Sequence, residues 1–189
     1  MTEVLDNKMG SIELYIGPMF SGKSSMLIKT AKNYESIGKK ILAINNKKDT
    51  RYGINKITTH DKLSIDAIMV SKLNDIHKNY SQEFKKADII LIEELQFFND
   101  IKFIIDAAEK YSKKVVASGL DGDFQRKPFK SVIELIPYCD TVTKLRGFCK
   151  ICKDGTPSIF SKRIVNSTDN ILVGGSDSYI SVCRKHFIS

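Results

Sequence analysis

Gly17-Pro18-Met19-Phe20-Ser21-Gly22-Lys23-Ser24 constrains this chain more than any other stretch, because it fits G-x-x-x-x-G-K-[ST] at every fixed position. The glycines of such a loop let backbone N–H groups close around phosphate oxygens, and the positive end of the following helix adds to the attraction. The lysine, Lys23, then reaches the β- and γ-phosphates of a nucleotide, and the Ser24 hydroxyl binds Mg²⁺. The flanks supply the right context. Residues 11–17 alternate apolar and polar positions and stop at glycine, as a strand does. From Gly22 onward Leu27, Ala31, Tyr34 and Ile37 recur at helical spacing until Gly38 ends the run.

The same alternation of strand and helix continues. Ile41 to Ile44 reads as an apolar strand, and residues 53–70 as a short hairpin with Ala67-Ile68-Met69-Val70 as its strand. A helix over 72–80 leads into Ala87 to Ile92, apolar enough to be buried on both faces. A helix over 100–111 groups Ile101, Ile104, Ile105, Ala108 and Tyr111 on one face. Val115 to Ala117 and Thr141 to Leu145 are further strands around a helix over 131–136. Together these predict an α/β fold with a mainly parallel sheet over residues 1–148. Residues 149–189 break the pattern and read as a second, loop-rich unit.

Two further clusters carry chemistry. The buried run Ile89 to Ile92 ends in Glu93-Glu94, where enzymes with this loop place a metal ligand and a base or water-positioning group. Neighbouring residues at a strand end point to opposite sides, so the two carboxylates can take different roles. Cys149-x-x-Cys152 and Cys183-x-x-His186 form two ligand pairs across a long loop, a Cys₃His set suited to structural zinc with no open position. Cys139 is left over as a core thiol, and His60 and His77 are isolated and read as structural.

The charge of +8 comes from 30 Lys+Arg against 22 Asp+Glu. The lysines are scattered, so the basic balance fits polyphosphate binding better than a nucleic-acid surface. No apolar run approaches the ~20 residues that span a bilayer, and Met1 to Met9 lack the apolar core of a secretory signal. An intracellular, cytoplasmic protein is the expectation. From these features alone a nucleic-acid-dependent ATPase or a zinc-ribbon interaction module stays open. The first leaves the aromatic cluster Phe97, Phe98, Phe124 and Phe129 unexplained, and the second leaves the complete phosphate loop without a purpose.

Six ordered motifs carry the reading further: the loop Gly17–Ser24, Lys48-Asp49-Thr50-Arg51-Tyr52, Thr59-His60-Asp61, Glu94-x-Gln96-Phe97-Phe98, Leu120-Asp121-Gly122-x-Phe124-Gln125-Arg126-Lys127-Pro128-Phe129, and Gly174-Gly175-x-x-x-Tyr179-x-x-Val182-Cys183-Arg184. The series resembles the type II thymidine kinases of animals, bacteria and large DNA viruses, over about residues 11–186. That resemblance implies an ATP-binding domain at 1–148, and at 149–189 a zinc-binding domain whose lasso-like loop closes over a nucleoside. By it, Glu94 is the general base toward the 5′-hydroxyl of thymidine, and Met19, Phe97, Leu120, Phe124, Phe129 and Tyr179 line the nucleoside pocket. Asp49 and Arg51 lie near the transferring phosphate. Glu93 and Ser24 hold Mg²⁺, and Gln96 and Arg163 join Gly17, Pro18, Met19, Phe20, Ser21, Gly22 and Lys23 around ATP. The resemblance further implies phosphorylation of deoxyuridine, feedback inhibition by dTTP, and a homotetramer. Three departures stand out: Glu93 where the family usually has Asp, Leu95 in place of an often small residue, and His186 where Cys is common. With three residues after His186, no long C-terminal regulatory tail is expected.

Overall fold

In the computed structural model, which describes residues 9–49, 55–59, 62–166 and 174–189, the four residues Ile89-Ile90-Leu91-Ile92 are buried completely and sit inside a sheet. The chain runs β1 (Ser11–Ile16), α1 (Lys23–Glu35), β2 (Ile41–Asn46), β3 (Lys56–Thr58), β4 (Ser64–Asp66) and β5 (Ile68–Val70). It continues with α2 (Asp75–Asn79), α3 (Ser81–Lys86), β6 (Ile89–Ile92), α4 (Lys102–Glu109), β7 (Lys114–Gly119), α5 (Lys130–Leu135) and β8 (Thr141–Lys144). The C-terminal part adds β9 (Gly147–Phe148), β10 (Pro157–Ser158), β11 (Phe160–Arg163), β12 (Tyr179–Val182) and α6 (Arg184–Ile188).

Six strands form one sheet in the order β5-β2-β6-β7-β1-β8, with every pairing parallel. A parallel sheet needs cover on both faces, and the strands are patterned for it. Ile90, Ile92, Val115 and Ala117 face a core completed by Phe103, Ile104, Val132 and Leu135 from α4 and α5. Ile89, Leu91 and Val116 face Leu27, Ile28 and Ala31 of α1, together with Ile57 of β3. The α/β class and the parallel sheet are as the sequence predicts.

Several boundaries differ. A hairpin does form, but from β3 and β4. The run at Ile68–Val70 instead pairs with β2 and becomes the sheet edge, because an apolar run of this kind does not specify its partner. The single helix expected over 72–80 is two short ones, α2 and α3, separated at Tyr80 with φ −136° and ψ 35°. Helix α1 stops at Glu35, so Ile37 lies beyond it and is 67% exposed. Tyr111 likewise falls past the end of α4, whose buried face is Phe103, Ile104, Ala107 and Ala108. His77 packs structurally, its ring 4.6 Å from Phe84 and 5.0 Å from Phe103. Cys139 is half-buried, and burial pushes its thiol up to about 11. His60 lies outside the described residues.

Register brings the functional segments to one edge. Ile16 pairs with Gly119 and Ile92 with Ala117, so the segments after β1, β6 and β7 leave the sheet side by side. Beyond β8 the small hairpins β9–β10 and β11–β12 and helix α6 enclose a separate cluster of Cys149, Val182 and Cys183.

Phe103 anchors the α4 side of the core at 1% exposure. Phe103→Ala should lower unfolding stability by about 3–5 kcal/mol, read as a shifted denaturation midpoint with little change in slope.

Candidate active site and metal centre

The loop between β1 and α1 takes its shape from two glycines. Gly17 has φ 145°, and a Cβ there would sit 2.4 Å from the Leu145 carbonyl oxygen. Gly22, at φ 84°, caps α1, and Met26 N–H donates to its carbonyl at 2.9 Å. Phe20 holds a left-handed φ of 62° without being glycine. The Lys23 ammonium donates to the Pro18 carbonyl at 2.7 Å and so folds back over the loop. Ser21 Oγ is buried with no hydrogen-bond partner among the described residues, a polar atom left for a ligand in the loop. The C-terminal unit braces this loop from outside. Met19 N–H donates to Ser161 Oγ of β11 at 2.9 Å. Gly147 of β9 comes so close that a Cβ would lie 2.7 Å from the Phe20 carbonyl oxygen.

At the end of β6 the two glutamates separate. Glu93 is 3% exposed, and its carboxylate accepts from Ser24 Oγ and from Ser118 Oγ, each at 2.5 Å. Burial, and then the neighbouring charge of Glu94, raise its pKa to about 7 against the opposing pull of those hydroxyls and Lys23. Glu93 and Ser24 therefore present adjacent oxygen donors, the chemistry Mg²⁺ selects. The extra methylene of Glu over Asp does not keep the carboxylate from the loop hydroxyl. Glu94 turns the other way, at a left-handed φ of 54° that costs of order 1 kcal/mol. Its carboxylate accepts from Gln96 Nε2, while Gln96 Oε1 accepts from Leu120 N–H at 3.0 Å. The 3₁₀ turn Leu95–Phe97 makes this geometry possible.

The remaining candidates fall into groups. Asp49 is buried, and its carboxylate accepts from Asn45 Nδ2 at 3.2 Å. The Phe97 carbonyl accepts from Asn46 Nδ2 at 3.3 Å. The Arg163 guanidinium lies 3.7 Å from the centroid of the Phe124 ring and donates to the Tyr179 hydroxyl at 2.9 Å. Arg163, grouped with the nucleotide in the sequence reading, thus contacts two residues assigned to the nucleoside. Phe129 precedes α5 and packs against the main core. Arg51 lies outside the described residues. Ser118, Ser161 and Gly147 were not legible as site residues; only the place of Ser118 at the end of a buried strand could have pointed to it.

The second cluster is metal-like in every distance. His186 Nδ1 lies 3.6 Å from Cys149 Sγ, 3.3 Å from Cys152 Sγ and 3.5 Å from Cys183 Sγ, and Cys152 and Cys183 are 3.8 Å apart. Tetrahedral zinc, with Zn–S of about 2.3 Å and Zn–N of about 2.0 Å, sets neighbouring sulfurs about 3.8 Å and sulfur–nitrogen pairs about 3.6 Å apart. The four groups Cys149, Cys152, Cys183 and His186 could hold such an ion, and they fit it. Burial opposes the Cys149 thiolate, but the backbone N–H groups of Cys152, Cys183 and Ile151 and the His186 ring outweigh it, lowering Cys149 to about 6.

A sequence model of the thymidine kinase family matches residues 10–187. Thymidine kinase of Myxoma virus (strain Uriarra) is 44% identical over 177 residues, which cover 93% of this chain and 95% of the viral protein. Thymidine kinase 1 of Dictyostelium discoideum is 44% identical over 179 residues, covering 93% and 76% respectively. The Vaccinia virus (strain Western Reserve) thymidine kinase is 40% identical over 180 residues, covering 95% and 97%.

Metal analysis of the purified chain should give one zinc per chain, falling sharply in Cys183→Ser. Unchanged zinc content in that variant would remove Cys183 from the ligand set. Gly147→Ala should disturb the loop through the Phe20 carbonyl, raising KM for the nucleotide more than for the second substrate.

Proposed function

Since the chain belongs to the thymidine kinase family, we propose that it transfers the γ-phosphate of ATP to the 5′-hydroxyl of thymidine, giving dTMP and ADP. The observation that carries the reading is the pair at the end of β6: Glu93 bound to the loop hydroxyl of Ser24, and Glu94 aimed elsewhere by Gln96. One carboxylate is bonded to the loop hydroxyl and the other to the Gln96 amide, two different settings of the kind a metal ligand and a base need.

Phosphoryl transfer asks the protein mainly for positioning and charge neutralisation. The backbone of Gly17–Ser24 and Lys23 would bind the phosphates, with Asp49 and Arg51 near the transferring group. Ser24 and Glu93 would hold Mg²⁺, which supplies charge neutralisation across the phosphate oxygens. Glu94 accepts the proton of the 5′-hydroxyl, held in line by Gln96 and Leu120. Met19, Phe97, Leu120, Phe124, Phe129 and Tyr179 would enclose the nucleoside, and Arg163 orients the aromatic pair it touches.

The same reading extends to the lasso-like loop of a zinc-binding domain at 149–189, beside an ATP-binding domain at 1–148. Gly174 approaches Ser178 so closely that a Cβ would lie 2.6 Å from its hydroxyl, and Tyr179 N–H donates to the Gly175 carbonyl at 3.0 Å. Such a turn presents main-chain groups to a base. Deoxyuridine is then a second substrate, dTTP a feedback inhibitor in the nucleoside site, and the enzyme a cytoplasmic homotetramer. No helix of the described residues is long and apolar enough to cross a membrane.

Glu94→Gln should lower kcat by ~10²–10⁴ while leaving thymidine affinity nearly unchanged. Near-normal turnover in a folded variant would take Glu94 out of the base role. With ATP and a nucleoside panel, thymidine and deoxyuridine should give monophosphates and deoxycytidine should not. Main-chain groups matched to a 4-keto pyrimidine go unpaired against cytosine, at ~1–3 kcal/mol each. Comparable kcat/KM for deoxycytidine would refute main-chain reading of the base.

A further inference from the structure

Residues 121–128 form a tight, self-bonded excursion between β7 and α5. Asp123 N–H donates to the Lys127 carbonyl at 2.9 Å, and the Asp123 carboxylate accepts from the N–H groups of Gln125 and Lys127, each at 2.8 Å. Gly122 and Pro128 form an antiparallel bridge at its neck. The excursion carries Phe124, one of the candidate nucleoside contacts. At its tip Arg126 adopts a left-handed φ of 66°, a conformation that Gly or Asn would take with less strain.

Something must hold an arginine there, and its guanidinium shows what. Arg126 lies 4.9 Å from the Phe187 centroid and 5.7 Å from that of Phe160. Those rings pack on each other at 4.8 Å. Phe187 follows the metal-cluster residue His186 directly, and Phe160 begins β11, two residues before Lys162, whose ammonium donates to the His186 carbonyl at 2.8 Å. On the other side the direction reverses: Arg163, from β11, lies over Phe124 of the excursion. The excursion thus contributes one guanidinium and one ring, and the C-terminal unit one guanidinium and the Phe160–Phe187 pair. Guanidinium planes suit such stacking in a way that an ammonium does not.

We propose that Arg126 is a positioning residue that clasps the Phe124-bearing excursion to the metal-bearing unit through Phe187 and Phe160, and so sets the nucleoside site. Asp123 closes the excursion on itself but fixes nothing about where it points. The Asp121–Lys144 ion pair at 2.7 Å ties its base to the end of β8, and the tip is held by Arg126 together with the reciprocal contact of Arg163 on Phe124. The inference rests on the kinase reading only for its kinetic consequences; the clasp itself is a statement about structure.

Its test uses Arg126→Asn, which tolerates the left-handed backbone without the added freedom of glycine, together with Arg126→Lys, Phe187→Leu and the Arg126→Asn/Phe187→Leu pair. Amide hydrogen exchange at residues 122–127 should rise about fivefold in Arg126→Asn and in Phe187→Leu, and no further in the double variant. Arg126→Lys should lie close to Arg126→Asn, since charge without the planar face does not stack. Thymidine KM should rise by a similar factor, with ATP KM, kcat and zinc content near wild type. If Phe187→Leu loses zinc, Phe160→Leu replaces it as the partner variant. Exchange within twofold of wild type in Arg126→Asn, or additive effects in the double variant, overturns the clasp. A wild-type chain that phosphorylates no nucleoside overturns the kinase reading instead, and the exchange measurements still decide the clasp.

Discussion

Glu93 is where two strands, β6 and β7, and helix α1 are tied together. A carboxylate at 3% exposure gives up most of its hydration, a cost of several kcal/mol unless its oxygens are bonded elsewhere. Here Ser24, at the start of α1, takes one oxygen and Ser118, near the end of β7, takes the other. The strand order puts β7 between β6 and β1, so Ser118 lies between the glutamate and the loop. The result is a carboxylate under tension. Burial and Glu94 favour its protonated form, and the hydroxyls and Lys23 favour the ionised one. A divalent cation at Ser24 and Glu93 would move that balance decisively toward the ionised form.

The C-terminal unit does more than stand beside this arrangement. It reaches the phosphate loop through Ser161 and Gly147, and the Phe124 excursion through Arg163, Phe160 and Phe187. Its own apolar cluster is small, with Cys149, Val182 and Cys183 as the fully buried members. A unit of that size stabilises itself poorly by burial alone, which a metal ion on its four candidate ligands would compensate. The Cys₃His cluster therefore belongs to the architecture that braces the site.

The sheet was legible because β2, β6 and β7 are short apolar runs separated by helical periods. The turn Gly17–Ser24 between β1 and α1 and the Cys₃His cluster were legible because their residues stand at fixed spacings. What escaped was pairing and approach. Ile68–Val70 looked like part of a hairpin since nothing in its residues says that Ile44 is its neighbour. Ser118, Ser161 and Gly147 are ordinary residues in sequence, and only distance in the fold gives them a part. Arg163 was grouped with the nucleotide by its similarity to a family arginine near the lasso-like loop, and the aromatic contacts of its guanidinium with Phe124 and Tyr179 were not legible in sequence.

Three of the seven non-glycine residues with left-handed φ among the described residues lie at the site. Phe20, Glu94 and Arg126 each hold a left-handed φ without being glycine, one in each of the three segments that meet at the site. Such residues cost of order 1–3 kcal/mol and persist only where their surroundings over-determine them. Phe20 is pinned by its neighbours, since Met19 N–H is bonded to Ser161 and Gly147 lies against the Phe20 carbonyl. Glu94 is pinned by Gln96, which is itself fixed by Leu120 N–H. Arg126 is pinned by two aromatic rings. In two of the three cases the restraint comes from the C-terminal unit, and in the third from the segment after β7 that the same unit clasps. A relaxed backbone at any of these positions would point its side chain elsewhere, so the fold spends stability at the site to obtain direction.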